Sequence, residues 1–215
     1  MRFIPITPST LNVMTTCPRQ FEAKYVTKEV EFKESEQIIW GNKVHKAFEN
    51  RIALKTELPE DMEALEPWAQ SFEALGGKIM AEVNLAITED GQPTDWRNRY
   101  MGARADLVVI KGDVAFVGDL KTGKLRKEDT QLNILTTCLY GVYPQVKQIT
   151  AALFYPFIDE LYGFTTRRET FTTPKLDADI ARYKQILEDD AFTPTPNGLC
   201  RGWCDVMSCE FNGRR

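Results

Sequence analysis

Histidine is almost absent: the 215 residues contain one, His45, so any imidazole chemistry rests on that side chain. No run of apolar residues is long enough to cross a bilayer, and the opening MRFIPITPST lacks the apolar stretch of a secretory signal. These two gaps lead to the expectation of a cytoplasmic protein with no membrane partner. Positive charge is not in surplus either. Lys and Arg number 27 against 31 Asp and Glu, a formal net charge of −4, so a polyanion would have to be met by local basic clusters. The chain shows no internal repeat and no low-complexity tract.

What is present is the composition of an ordinary globular protein, 43% hydrophobic and 27% charged. The length suits one domain spanning 1–215, with a helical part at 1–77, a sheet core at 78–170 and a helix with a cysteine-rich tail at 171–215. Five cysteines in a cytosolic chain point to metal ligands or bystanders before disulfides.

Helical patterns come first. Residues 5–26 read as helix interrupted at Cys17-Pro18, with Ser9 or Thr10 as cap and Pro18 opening a second piece that carries Phe21 and Tyr25. Residues 35–55 form another helix whose apolar face is Ile38, Val44, Phe48, Ile52 and Leu54, with His45 beside it. A third, over 60–75, is broken or kinked by Pro67. Strand patterns cover 78–88, both arms of a hairpin over 102–124, 146–157 and 161–170, with helices at 128–143 and 175–189. This order predicts an α/β (α+β) protein, a mixed sheet flanked by helices with the hairpin central.

The hairpin, GARADLVVIKGDVAFVGDLKTGK, concentrates the chemistry. Asp106 opens one apolar strand, Asp119 closes the next, and Lys121 follows two residues later. Antiparallel pairing sets the start of one strand beside the end of the other, and a period of two keeps Asp119 and Lys121 on one face. Two carboxylates so placed repel unless a cation separates them, and hard oxygen donors suit Mg²⁺ or Mn²⁺.

Strand-borne Asp106, then GDLKTGK, then a helix carrying Gln131 resembles the PD-(D/E)XK nuclease superfamily. GNKVHKAFE around His45, CPRQFEAKYV near the start and three clustered cysteines near the end resemble its RecB-like exonuclease branch, which includes CRISPR-associated iron-sulfur nucleases and their phage relatives. The resemblance implies a restriction-endonuclease-like fold. It implies that His45, Asp106, Asp119 and the main-chain carbonyl of Leu120 hold the divalent ion, that Lys121 is catalytic, and that Glu82 supports the metal. Gln131 matches the glutamine of a Gln-x-x-x-Tyr motif, thought to meet DNA or the active site. The motif's tyrosine position is Leu135 here, and Tyr140 falls on roughly the opposite helix face.

The same resemblance implies that Cys17, Cys200, Cys204 and Cys209 bind a four-iron iron-sulfur cluster. Three and four residues separate the last three cysteines, where the branch has two and five. Tetrahedral Zn²⁺ and reduced free thiols are the competing readings; Cys138 is expected to be a core thiol. Arg104, Lys124, Arg126 and Lys127 adjoin the hairpin and are expected to meet DNA phosphates. Trp40, Tyr100 and Trp203 are expected in core packing before base stacking. The function implied is a metal-dependent DNA exonuclease acting on single strands or ends in recombination, repair or phage DNA processing. CRISPR end trimming and a non-catalytic DNA-end binding module are the alternatives. Implied partners are DNA and either further copies of the chain or recombination or CRISPR proteins.

Overall fold

The computed structural model describes residues 3–31 and 33–214 and divides the chain into two compact units, Met1–Lys33 with Thr173–Arg215, and Glu34–Thr172.

The larger unit holds one five-stranded sheet. Its strands are β1 (Lys78–Ile87), β2 (Met101–Lys111), β3 (Val114–Leu120), β4 (Gln148–Tyr155) and β5 (Glu160–Arg167), in spatial order β1-β2-β3-β4-β5. The pairs are antiparallel except β3 with β4, which is parallel and connected through helix α5 (Asp129–Val142). The mixed sheet flanked by helices is as expected, and the hairpin β2–β3 sits at its centre. Gly112, with φ of +63°, supplies the tight reversal between Lys111 and Val114.

One face of the sheet is covered by α3 (Glu36–Leu54), a 3₁₀ turn over Glu60–Leu65, and α4 (Glu66–Ala74). Val44, Phe48 and Ile52 of α3 meet Leu65, Ala69 and Phe72, and both sets close on Leu107, Val109, Leu120 and Phe154 of the strands. Phe72 is the hub, with ring centroids 4.9 Å from Phe116 and 5.1 Å from Phe154. Burying each large side chain here stabilises by about 1.5–3 kcal/mol. Pro67 falls in the first turn of α4, where its missing N–H costs nothing, so it separates the 3₁₀ turn from the helix as the sequence suggests. Two of the five residues assigned to the apolar face of α3 do not belong to it. Ile38 and Leu54 are exposed because they lie in the first and last turns, beyond the reach of the strands.

Helix α5 buries Leu132, Ile134, Leu135, Cys138 and Leu139 completely. Near its end Gly141 lies so close to Ile87 and the Gly91 carbonyl that a β-carbon would stand 2.5 Å from Ile87 Cγ2, so this helix-interior glycine is required by close approach.

The smaller unit contains α1 (Pro8–Thr16), α2 (Pro18–Phe21) running into a π-helical turn over Glu22–Val26, and α6 (Pro174–Glu188). The cap of α1 is Thr7, not Ser9 or Thr10. Thr10 instead closes a reciprocal capping box with Thr7, because Pro8 already occupies the first helical position. Phe21 packs on Tyr25 and Tyr183 at centroid distances of 5.1 and 5.4 Å. The tail after Pro196 is a chain of turns held from within: buried Asn212 donates to the carbonyls of Cys204 and Val206 at 3.0 and 2.9 Å.

Candidate active site

Strands β2 and β3 pair from Lys111 back to Leu107, opposite Gly118, and there the ladder stops. One step further, where Asp106 and Asp119 would face each other, the Leu120 N–H donates to Asp106 Oδ2 at 2.6 Å. A side chain has replaced a main-chain acceptor, which fixes Asp106 rigidly at the splayed end of the hairpin. The other oxygen of Asp106 lies 2.9 Å from His45 Nδ1, delivered by α3.

On the other side of β2 the register with β1 is continuous, Ala81 opposite Leu107 and Val83 opposite Ala105, but the pair between them is missing. That gap is Glu82, whose φ is +52° in the middle of a strand. A non-glycine residue in this conformation costs of order 1–3 kcal/mol and clusters at functional sites. Its consequence is local: the Glu82 carboxylate joins Asp106 and His45, and the donor atoms of the three lie within 4.8 Å of one another, the one such group among the described residues.

Asp119 is buried. Its Oδ1 accepts from Gln131 Nε2 at 2.6 Å, and its Oδ2 is 3.0 Å from Lys121 Nζ. Gln131 Oε1 accepts from the same ammonium at 2.7 Å. Gln131, on the first turn of α5, thus bridges Asp119 and Lys121, whereas Leu135 and Tyr140 of that helix point into the core. The side of the site carrying His45, Asp119, Leu120 and Lys121 opens into a cleft of about 350 Å³, completed by Thr122, Gly123, Lys124, Arg126, Glu128 and Tyr155.

Electrostatics record the crowding. Burial, then the charge of Asp106 and a hydrogen bond with it, push the Glu82 carboxyl up to about 7. Burial and the Asp106 charge push Asp119 up to about 6 despite Lys121. For His45, burial opposes protonation, but the hydrogen bond to Asp106 and the charges of Asp106, Asp119 and Glu82 prevail and raise it. Lys121 is likewise raised: burial works against its charge, and Asp119 and Glu128 outweigh it. Carboxyls raised by burial and by one another's charge are relieved by a hard divalent cation, so the donor set fits one.

Of the basic residues, Lys124 and Arg126 line the cleft. Lys127 lies 6.0 Å from the Tyr162 ring, and Arg104 is exposed beside the donor group, its Nη1 3.5 Å from Glu82. Tyr155, not singled out from the sequence, holds the loop after β3, donating to Arg126 O at 3.0 Å and accepting from Arg126 N at 3.1 Å. A tyrosine closing an apolar strand gives no sign of such a role.

The cysteines form a second cluster, within the smaller unit. Cys17, Cys200, Cys204 and Cys209 line one small pocket together with Pro194, Pro196 and Asn212. Main-chain N–H groups of Thr195 and Asn197 approach Cys17 and Cys200 Sγ at 3.4 Å. Burial and the neighbouring cysteine sulfurs raise the Cys204 thiol, a penalty that a bound metal cation would reverse. Cys138 lies apart in the core as expected, its thiol pushed up to about 12 by burial. Trp203 is not core: it is 80% exposed, because its turn has no layer above it. Trp40 does pack, against Phe157.

With hairpin carboxylates, lysine and helix glutamine in place, sequence comparison decides the family. The model of the PD-(D/E)XK nuclease superfamily matches residues 5–209. The chain belongs to this superfamily. Its members are metal-dependent nucleases, and His45, Glu82 and Asp106 bring an imidazole and two carboxylates together in this PD-(D/E)XK protein. Among solved structures, the one described as "Crystal structure of SSO0001" shares the fold with a TM-score of 0.53 at 16% identity, over 99% of this chain and 89% of that one. No curated protein gives a significant match. Among the described residues, no helix is long and apolar enough to cross a membrane.

Proposed function

We propose that this PD-(D/E)XK nuclease is a RecB-like DNA exonuclease, acting on single strands or free ends in recombination, repair or phage DNA processing, in a cytoplasm. The observation that carries the catalytic part is the convergence of His45, Glu82 and Asp106 beside a cleft containing Asp119 and Lys121. Bound Mg²⁺ or Mn²⁺ supplies a water nucleophilic near neutral pH and stabilises charge on the phosphate. His45, Glu82, Asp106 and Asp119, with the Leu120 carbonyl, are the residues to hold it, and the imidazole favours Mn²⁺ at least equally. Lys121, aimed by Asp119 and Gln131, orients the water or neutralises a phosphate oxygen. Arg104, Lys124, Arg126 and Lys127 bind the DNA backbone.

For the cysteines we assign a four-iron cluster, structural in role, with Zn²⁺ as competitor. Four cysteines from two distant segments lining one small pocket support a bound metal group there.

The test is degradation of end-labelled linear and of circular single-stranded DNA with Mn²⁺. Cleavage of the linear form alone, lost in Lys121→Ala, is the expected result. Cutting of circles would make the enzyme an endonuclease, and binding without cutting would leave a DNA-end binding module.

A further inference from the structure

The ammonium of Lys121 has three N–H donors and three acceptors around it. Two are the inward-facing pair, Gln131 Oε1 at 2.7 Å and Asp119 Oδ2 at 3.0 Å, the latter on a side chain only 12% exposed. The third is Glu128 Oε2 at 3.5 Å, on a side chain 39% exposed that lines the cleft. Gln131 and Asp119 are also tied to each other. Glu128 is the long, solvent-facing member, and the direction it takes is the one left for anything entering the cleft.

Glu128 also breaks a local rule. It is the N-cap of α5, where Ser, Thr, Asp or Asn is preferred, and its side chain makes no capping hydrogen bond. The helix start is closed by main-chain bonds from Gln131 and Leu132 to the Glu128 carbonyl, so the carboxylate is not needed there. A residue poor for its structural position and directed at a functional lysine is the signature of a site-specific role.

We infer that Glu128 is an internal anion occupying the phosphate-facing direction of Lys121, and that a nucleic-acid phosphate must displace it to engage the lysine. The subsite takes one phosphodiester oxygen, between Lys121 and the loop carrying Lys124 and Arg126. Displacement frees a carboxylate that is already partly hydrated, whereas displacing Asp119 would strand a buried charge. Glu128 therefore lowers affinity for DNA as a competitor for Lys121. This rests on the nuclease reading for the identity of the anion, but its test does not require cleavage.

The test is a double-mutant cycle on full-length protein, reading binding of fluorescent oligothymidylate without added divalent cation. Glu128→Gln is expected to tighten binding at least threefold. The gain should vanish in a Lys121→Ala background and be absent in Glu160→Gln, which removes an equal charge at the start of β5. Glu128→Ala should match Glu128→Gln, and with Mn²⁺ present kcat/KM should rise. A gain that persists undiminished without Lys121, or that Glu160→Gln reproduces, would make the effect general charge and overturn the inference. So would weaker binding or a fall in kcat/KM, which would make Glu128 an aiming residue. Absence of cleavage in wild type would remove the nuclease reading, while the binding cycle still decides whether Glu128 guards Lys121.

Discussion

The two ligand clusters of this molecule differ in how they are built. The carboxylate site stands on strands and helices: Asp106 is fixed by a ladder-replacing hydrogen bond, Glu82 by a strained backbone, and Gln131 by the first turn of a buried helix. The cysteine site joins Cys17, at the junction of α1 and α2, to three cysteines on the 3₁₀ and reverse turns of the tail. The first is preorganised without its ion and bears the cost as crowded charge. The second rests for three of its four cysteines on turns, so a metal bound there, as proposed, should contribute to folding. Metal removal should therefore silence one cluster and unfold the other.

The largest effect is expected at the carboxylate site. Asp106→Asn should lower hydrolysis by 10³-fold or more, since it touches His45, Glu82 and the Leu120 N–H together, while thermal stability falls little or rises. EDTA should reproduce this loss and Mn²⁺ should reverse it. Circular dichroism and the cysteine-bound metal content followed through the same cycle are the check, and unfolding while that metal is retained would break the contrast.

Next in size is Cys204→Ser. It should release the cysteine-bound metal, bleach any visible absorption, and destabilise the smaller unit by about 2–5 kcal/mol by analogy with removing a native cross-link. Metal analysis with a melting curve reads both. No cysteine-bound metal in the wild type and an unchanged melting temperature in the variant would return the cysteines to free thiols.

The third prediction concerns pH. A Glu82 carboxyl at about 7 holds its proton in the folded chain where an unfolded glutamate, near 4.5, has lost it. Protonation thus favours folding, and this group's contribution to stability falls as pH rises from about 4.5 to 7 and is flat above. In EDTA, Glu82→Gln should abolish that slope, worth about 1–2 kcal/mol after discounting the side chain's partial exposure. Melting temperature against pH for both proteins checks it, and equal slopes would show that Glu82 carries no such burden.

How much of this was legible in the sequence follows the same division. Strands, helices and the hairpin turn are written as periodicity and glycine placement, and Asp106, Asp119 and Lys121 fall together because strand pairing alone brings them there. Glu82 could be suspected only from its likeness to a family, since a +52° φ inside a strand leaves no trace in composition. Glu128 and Tyr155 were invisible because their roles depend on a loop whose path no pattern specifies. Ile38, Leu54 and Trp203 were misassigned for a related reason: hydrophobicity gives a face, and only the neighbouring layer says where that face ends.

The smallest effect lies away from both clusters and reverses the pH sign. Arg51, on α3, makes paired hydrogen bonds of 2.6 Å to both oxygens of Glu66 and one of 2.8 Å to Glu73, joining α3 to α4. The guanidinium holds Glu66 down at about 2; Lys55 and then Arg51 lower Glu73. Carboxyls depressed in this way stabilise the fold above the unfolded value near 4.5, and that stability is lost as pH falls toward 2. Both glutamates are substantially solvated, so the ion pairs are screened and worth about 0.5–1 kcal/mol together. Glu66→Gln should flatten the acid limb below pH 4.5 and leave the slope between 4.5 and 7 untouched, whereas Glu82→Gln should do the reverse. If either substitution altered both limbs, the helix ion pair and the metal-donor group would be energetically coupled through α3, which carries both Arg51 and His45.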